Sequence, residues 1–278
     1  MAVVFSIIIC SRNQDIPEPL KSSIAETIDA EYELVVIDNS HNGYSLFSAY
    51  NEGVRRAKGE ILCFCHEDIL FHTPSWGGSV QNLFSDESIG VVGVIGSHFL
   101  PGAPMYWWSS PFISQYNIEN DNGVIKNNDT RYFFHNHTAD VAAVDGVCFF
   151  IPKSLFQTIR FDEQTFRGFH AYDMDISMQI QKLGKRVCVT DVLTIEHFWS
   201  EDSFQNQSYM AKLDANMELF YNKWKDYLPI VRGLDEPQIV IDRLNNLCIQ
   251  AYEAKRVRQS KAYRLGRFLL KPFKFLKK

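Results

Sequence analysis

Several classes of protein are excluded by what this 278-residue sequence lacks. Its six cysteines lie mostly within apolar runs and form no CxxC pair and no zinc-ligand spacing. No apolar run reaches the roughly 18 residues needed to span a bilayer. Met1 to Cys10 has neither a basic start nor a small-residue cleavage site, so it does not resemble a signal peptide. We therefore expect a cytoplasmic protein with reduced thiols.

Two common nucleotide-binding motifs are also missing. No GxGxxG follows the first predicted strand, and no GxxxxGKS/T occurs anywhere in the chain. These absences exclude a dinucleotide-binding site and a P-loop. With 46% hydrophobic residues, the chain is nevertheless long enough to bury a large core.

Charge is distributed unevenly along the chain. Residues 251–278 contain ten Lys and Arg and one acid, which gives them a net charge of +9. The rest of the chain carries −14, and the total is −5. Apolar residues alternate with these cations, which favours a basic amphipathic tail on an anionic membrane surface at the inner face of the cell membrane. Nucleic acid is not expected as a partner, because the body is acidic and no recognition motif accompanies the tail.

The first hundred residues alternate apolar runs with helical patterns, which predicts parallel strands joined by crossover helices. The predicted strands are Phe5–Cys10, Leu34–Ile37, Ile61–Cys65 and Gly90–Ile95. The predicted helices are Pro17–Ile28, Ser45–Ala57 and Trp76–Phe84. Residues 97–140 lose this periodicity and predict an irregular segment. We expect one α/β domain over residues 1–200 and a helical extension over residues 201–278.

Polar residues follow the first three predicted strands. They are Ser11-Arg12-Asn13, Asp38-Asn39-Ser40 and His66-Glu67-Asp68. In a parallel sheet, ligands bind beyond the carboxyl ends of the strands, so these residues are candidates for a binding site. Because side chains alternate along a strand, His66 and Asp68 are expected on one face and Glu67 on the other.

The order and spacing of several stretches resemble family 2-type glycosyltransferases of the GT-A fold. The closest likeness is to the bacterial glycosyltransferase-like family linked to capsule and cell-surface polysaccharide synthesis. The stretches are Phe5–Cys10, Val36–Ser40, Tyr50–Gly53, Ala57–Phe64, Phe161–Glu163, Asp173–Asp175 and Ile195–His197. The chain departs from the pattern at two positions: His66 replaces the first Asp of the metal motif, and Tyr172 replaces an acid.

The resemblance implies a mostly parallel α/β sheet flanked by helices, a nucleoside-diphosphate sugar donor, with UDP-sugar favoured, and a divalent metal, Mn or Mg. It places the metal on His66, Asp68 and His197, and histidine ligands favour manganese. The residues expected around the nucleotide and metal are Ser11, Asn13, Asp38, Asn51, His66, Glu67 and Asp68. Simpler roles stay open, such as turn formation for Asp38 and packing for Asn51.

On the acceptor side, the resemblance implies that Asp173 is the general base. An acceptor hydroxyl needs a carboxylate to take its proton as the new bond forms. The expected acceptor-binding residues are Trp107, Trp108, Asp145, Gly146 and His170. The two tryptophans lie in the segment 97–140, which is predicted to act as an acceptor-binding lid. Core packing for the tryptophans, a tight turn at Asp145 and a favourable helix N-terminus at Asp173 are the alternatives.

Together these features predict an inverting glycosyltransferase of the hexosyltransferase type, acting on a saccharide or lipid-linked acceptor in surface polysaccharide synthesis. Two other functions stay open. A non-catalytic sugar-nucleotide-binding protein is suggested by the departures at His66 and Tyr172. A sugar-1-phosphate nucleotidyltransferase is less favoured, because the loop after the first strand, Ser11 to Gln14, contains no glycine.

Overall fold

A computed structural model describes residues 3–166, 168–199, 207–236, 238–261 and 263. The strands are β1 Phe5–Ser11, β2 Tyr32–Asp38, β3 Ile61–Cys65, β4 Ile69–Phe71, β5 Ile89–Gly93, β6 Ile95–Ser97, β7 Phe99–Leu100, β8 Ile113–Asp121, β9 Val124–Asp129, β10 Thr138–Asp140, β11 Ala143–Val144, β12 Cys148–Pro152, β13 Arg186–Thr190, β14 Ile195–Trp199 and β15 Ile230–Val231. The helices are α1 Glu18–Thr27, α2 Leu46–Arg56, α3 Trp76–Leu83, α4 Tyr172–Lys182, α5 Gln207–Trp224 and α6 Gln238–Gln259.

The main sheet has seven strands in the order β10-β13-β5-β12-β3-β1-β2. β1 pairs in parallel with β2 and β3, while β12 runs antiparallel between β3 and β5. The register places Ser11 beside Asp38 at the carboxyl ends of β1 and β2. Polar residues that follow these strands therefore meet at one edge of the sheet, as the sequence predicts.

The central strands are mostly apolar because both faces of the sheet are covered. Every residue of β3 is buried, and Ile7, Ile8 and Ile9 of β1 are fully buried. α2 lies close to β1: a side chain at Gly53 would put its Cβ 2.2 Å from Cγ2 of Ile8. This close packing of helix on strand fixes the position of the loops at the sheet edge.

The prediction that residues 97–140 are irregular is wrong for residues 113–129. These residues form the antiparallel hairpin β8–β9, and Asn122 and Gly123 at its turn both have positive φ. β8 also pairs with β6 and β14 in a second sheet, in the order β11-β6-β8-β14-β4. Polar residues on both faces of the hairpin hide the alternation expected of a strand, so pairing with its neighbours defines the structure.

The helical extension is confirmed for the described residues, where α5 and α6 run from 207 to 224 and from 238 to 259. Lys223 and Trp224 of α5 both contact Asp175 of α4, at 2.7 and 2.8 Å, so α5 packs directly on the α/β domain. The domain boundary expected at residue 200 and residues 264–278 of the basic tail lie outside the described residues.

All six cysteines are free thiols. Among the helices that the structure describes, none combines the length and the apolar character of a membrane-crossing segment.

Candidate metal and catalytic site

Two histidines and one aspartate converge at the edge of the main sheet. His66 and Asp68 follow β3, and His197 lies in β14 opposite Ile69 of β4. His66 Nδ1 and His197 Nε2 each lie 3.7 Å from Oδ1 of Asp68. One ligand atom of each residue lies within 4.8 Å of the other two. This group of one carboxylate and two imidazoles is able to hold a metal ion.

The imidazoles of this group are neutral at pH 7. Burial, together with the nearby His197, lowers the pKa of His66 to about 4. Burial also lowers the pKa of His197, although the negative charges of Asp68 and Glu119 act in the opposite direction. A histidine binds metal through the lone pair of its neutral ring, so this electrostatic state suits ligation. The distances of 3.7 Å to Asp68 are too long for hydrogen bonds.

Glu67 binds and stabilises the loop that follows β1. Its carboxylate accepts hydrogen bonds from Ser11 Oγ at 2.6 Å and from Arg12 Nε at 2.8 Å, and also from the Arg12 backbone N–H. Burial would raise the pKa of Glu67, but these hydrogen bonds outweigh it and the pKa is lowered. The structure thus ties Ser11 and Glu67 to each other and places Asn13, whose backbone N–H bonds Ser11 Oγ, on the exposed loop.

A second cluster of carboxylates surrounds the start of α4. Asp173 is 8% exposed and accepts the backbone N–H groups of Gly146 at 3.0 Å and Met174 at 2.8 Å. Burial raises the pKa of Asp173 to about 6. Asp145 is half-buried, and burial followed by the negative charge of Asp173 raises its pKa to about 7. A carboxylate with a pKa near neutrality is suited to general base catalysis.

Tyr172 joins the two clusters. Its hydroxyl lies 3.0 Å from His66 Nε2 and donates a hydrogen bond to the carbonyl of Gly146 at 3.1 Å. The N–H of the same glycine binds Asp173. The residues around positions 66 and 173, which are far apart in sequence, therefore meet at one place, as the resemblance requires.

Two candidate residues serve structural contacts. The amide of Asn51 donates to the carbonyl of Phe161 at 2.8 Å and to Glu163 at 3.1 Å, which ties α2 to the segment before α4. This geometry favours packing, the alternative role for Asn51. Asp38 is exposed at the end of β2, and its carboxylate accepts the N–H of Ser40 at 2.9 Å. Hydrogen bonds from Ser40 lower the pKa of Asp38, so it is an anion at the sheet edge.

The aromatic residues before β8 are anchored by the C-terminal helices. Trp107 is buried in the core, whereas Trp108 is 38% exposed and stacks on Tyr106 at 4.8 Å. The Tyr106 hydroxyl bonds Asp214 of α5 and receives a hydrogen bond from Lys255 of α6 at 3.0 Å. Core packing is thus the structural role of Trp107, and Trp108 keeps an accessible face.

His170 and Glu119 complete the surroundings of the site. The ring of His170 packs edge-on against Tyr209 of α5 at 4.8 Å, and burial lowers its pKa to about 4. Glu119 lies beside His197 in the pairing of β8 with β14, and its charge acts on both His197 and Asp145. Glu119 is not among the predicted site residues, because no strand was predicted there. The Asn122-Gly123 pair was the available signal, since it is typical of a hairpin turn.

The sheet order and the strand ends that meet at one edge define the class of fold as GT-A, which a solved structure shares. A solved structure of GalNAc-T7 with UDP, GalNAc and Mn²⁺ matches this chain with a TM-score of 0.50 at 13% identity, covering 72% of this chain and 44% of that one. A structure of A197 from STIV matches with a TM-score of 0.43 at 16% identity, covering 72% and 87%. The predicted GT-A fold is confirmed by the first likeness.

The family follows from the sequence match. A family model described as "Glycosyltransferase like family" matches residues 6–224, so the chain belongs to this family. The streptomycin biosynthesis protein StrF of Streptomyces griseus is 28% identical over 161 residues, which are 56% of this chain and 53% of StrF. The chain thus spans about half the length of this curated relative. The resemblance to a glycosyltransferase family is confirmed, and its link to capsule synthesis stays a prediction.

Proposed function

We propose that this chain is a metal-dependent, inverting glycosyltransferase that moves a sugar from a nucleoside-diphosphate sugar to a saccharide or lipid-linked acceptor. One observation carries the proposal: the candidate metal group and the candidate base Asp173 meet through Tyr172 and the peptide of Gly146. A UDP-sugar is the favoured donor, in keeping with the UDP and Mn²⁺ bound to GalNAc-T7, which shares the fold.

His66, Asp68 and His197 are the proposed ligands of a divalent cation. Their atoms are close enough to share one ion, and two of the three donors are nitrogen, which suits Mn²⁺ better than Mg²⁺. When bound, such a cation supplies charge neutralisation for the departing nucleoside diphosphate. Asp38 is exposed and anionic at the same edge, and we propose that it accepts hydrogen bonds from the base or ribose of the donor.

Asp173 is proposed to take the proton from the acceptor hydroxyl. The acceptor oxygen then bonds to the anomeric carbon while the bond from that carbon to the donor phosphate oxygen breaks, which inverts the anomeric configuration. The two backbone N–H groups that bind Asp173 hold its carboxylate in place without neutralising it. Its pKa of about 6 leaves it mostly ionised at pH 7 and still basic enough to accept the proton.

The acceptor is proposed to lie between the start of α4 and the aromatic segment. Asp145 and His170 belong to this side of the site, and α5 forms its wall through the contact of Tyr209 with His170. Trp108 offers a partly exposed ring on which a sugar face can stack. Because Tyr106 is tied to both α5 and α6, we propose that this segment is a fixed wall with at most a local lid movement.

The cellular role proposed is surface polysaccharide synthesis in the cytoplasm, at the inner face of the cell membrane. The support is the basic composition of residues 251–278, which suits an anionic membrane surface. A lipid-linked acceptor is found at such a surface, so the membrane location and the acceptor class support each other.

A ligand screen followed by a turnover assay tests the proposal. Thermal unfolding is measured with nucleoside diphosphates and their sugars, with and without Mn²⁺, because a ligand that binds the folded state raises the unfolding temperature, and the rise grows with the logarithm of its concentration over the dissociation constant. We expect a rise with UDP or UDP-sugars that depends on Mn²⁺, and UDP release when an acceptor is added. Nucleotide binding without turnover on any acceptor supports the non-catalytic alternative, and pyrophosphate release from a nucleoside triphosphate supports the nucleotidyltransferase.

A further inference from the structure

The two positions that depart from the family pattern contact each other. His66 stands in place of an acid of the metal motif, and Tyr172 stands in place of the acid before Asp173. In the folded chain the Tyr172 hydroxyl lies 3.0 Å from His66 Nε2, across a separation of 106 residues. The replacements therefore form one hydrogen-bonded pair.

The direction of the hydrogen bond between them follows from counting protons. A tyrosine hydroxyl has one proton to donate, and the carbonyl of Gly146 is only an acceptor. The Tyr172 hydroxyl donates its proton to this carbonyl at 3.1 Å. It is then an acceptor towards His66, so the proton on the imidazole lies on Nε2. The other ring nitrogen, Nδ1, is left with its lone pair.

That lone pair points into the candidate metal group. Nδ1 of His66 lies 3.7 Å from the carboxylate oxygen of Asp68, which is too far for a proton to be shared between them. His197 Nε2 lies at the same distance from that oxygen. The Nδ1 lone pair of His66 and the Asp68 carboxylate are two acceptors with no proton between them, so they repel each other, and a cation placed between them removes the repulsion.

We propose that Tyr172 is a positioning residue that holds His66 in the Nε2–H tautomer and so makes Nδ1 the metal-binding atom. This inference rests on the metal site of the proposed function. A metal-bound histidine commonly donates its second ring N–H to an oxygen that fixes the ring and its tautomer. Here the oxygen is a phenol hydroxyl, which in turn is fixed by the carbonyl of Gly146.

The surroundings of Tyr172 hold its hydroxyl in one position. The residue is 4% exposed, and its ring packs edge-on against Phe47 and Tyr50, with ring centroids 6.3 and 5.5 Å apart. A Cβ at Gly146 would lie 1.9 Å from the Tyr172 oxygen, so only glycine leaves room for the hydroxyl there. The glycine at position 146 is therefore explained by the tyrosine at position 172.

The first test measures the tautomer in the absence of metal. Nitrogen NMR of ¹⁵N-histidine-labelled protein distinguishes the two neutral forms of each ring, and loss of a signal in His66→Gln assigns His66. We expect Nε2–H for His66 in the wild type and a mixture of tautomers in Tyr172→Phe. Tyr50→Phe is the matched control, because it removes another buried hydroxyl from the same aromatic cluster, and it should leave the tautomer unchanged. An Nδ1–H form in the wild type would overturn the inference, even if Tyr172→Phe does not fold.

The second test measures Mn²⁺ affinity by calorimetry, without donor or acceptor. We expect Tyr172→Phe to bind Mn²⁺ about 10 to 100 times more weakly, the usual effect of removing an outer partner of a metal ligand, and Tyr50→Phe to bind as the wild type does. Equal binding by wild type and Tyr172→Phe refutes the role of Tyr172 and leaves the proposed function intact. If the wild type itself binds no Mn²⁺, the metal-dependent function and this inference both fail.

Discussion

Burial shifts the pKa values in two parts of the site, here called corners, in opposite directions. The metal corner consists of His66, Asp68 and His197, and the carboxyl corner consists of Asp145 and Asp173. Burial disfavours the charged form of any group, so it lowers the pKa of the histidines and raises the pKa of the carboxyl groups. Burial thus supplies neutral ligands at one corner and a base with a nearly neutral pKa at the other.

The largest expected effect is a fall in kcat when the carboxyl corner is changed and the metal corner is left intact. Asp173→Asn removes the proposed base but leaves the metal corner unchanged, so we expect kcat to fall about 10²- to 10⁴-fold while Mn²⁺ and UDP affinities stay within error. Steady-state kinetics and calorimetry on the same samples measure both quantities. Asp175→Asn is the matched control: Asp175 is a buried acid of the same helical turn, but it is bound by Lys223 and Trp224.

The control should lower the unfolding temperature and leave the kcat of the folded enzyme near that of the wild type. An Asp173→Asn variant that keeps wild-type kcat would remove the carboxyl corner from the mechanism and with it the contrast between the two corners.

The metal corner has its own substitution. Asp68→Asn keeps the shape of the side chain and removes the negative charge that lies next to both histidines. Mn²⁺ affinity should therefore fall by more than about 100-fold, which is more than the loss expected for Tyr172→Phe. Glu196→Gln is the control: this acid is next to His197 in β14 but bonds His72 and Asn120 instead. Titration calorimetry with Mn²⁺ measures both variants, and equal affinities in the two would exclude Asp68 as a ligand.

The pH dependence of kcat reports on the carboxyl corner alone. Asp173 acts as a base when ionised, so kcat should rise about tenfold per pH unit below its pKa of about 6 and become level above it. Asp145, with a pKa of about 7, is still mostly protonated while Asp173 ionises, and Asn is neutral as well. The midpoint of the profile should therefore stay near pH 6 in Asp145→Asn. A midpoint that moves to lower pH would show that Asp145 is already charged when Asp173 ionises.

The part of the fold formed by residues 5–65 could be predicted because its sequence carries direct physical signals. Fully apolar runs followed by polar residues predicted β1, β2 and β3 and the meeting of their ends. The alternation of side chains also separated Glu67 from His66 and Asp68, and the structure shows Glu67 bound to Ser11 and Arg12 instead.

The part formed by residues 113–182 could be predicted only in part. The strands β8 and β9 are polar on both faces, so their pairing with β6 and β14 is a tertiary effect that no local pattern reports. Glu119 was missed for that reason. Tyr172 was recognised as a departure from the family pattern, but its hydrogen bond to His66 depends on the packing of α4 against the end of β3.

The smallest expected effect is on the pH dependence of the free energy of unfolding, to which the two corners contribute with opposite signs. Asp145 has a pKa of about 7 in the folded chain and near 3.9 when unfolded. Between these values the folded state binds a proton that the unfolded state lacks, so the free energy of unfolding falls as pH rises from about 4 to about 7. His66, with a pKa of about 4, has the opposite effect, because between about pH 4 and 6.5 the unfolded state binds a proton that the folded state lacks. The contribution of His66 to the free energy of unfolding is therefore lost as pH falls from about 6.5 to about 4.

Asn does not titrate, and its amide oxygen can still accept the N–H of Val147, which binds Asp145 at 2.7 Å. Asp145→Asn should therefore be more stable than the wild type at pH 8 but not at pH 4. A gain of about 1 kcal/mol corresponds to an unfolding temperature about 2–4 °C higher. His66→Gln, which removes one of the two histidines of the metal corner, should make the acid side of the stability profile less steep. Thermal unfolding of the three proteins at pH 4, 6 and 8 measures these slopes, and parallel curves would show that burial does not prepare the two corners in opposite directions.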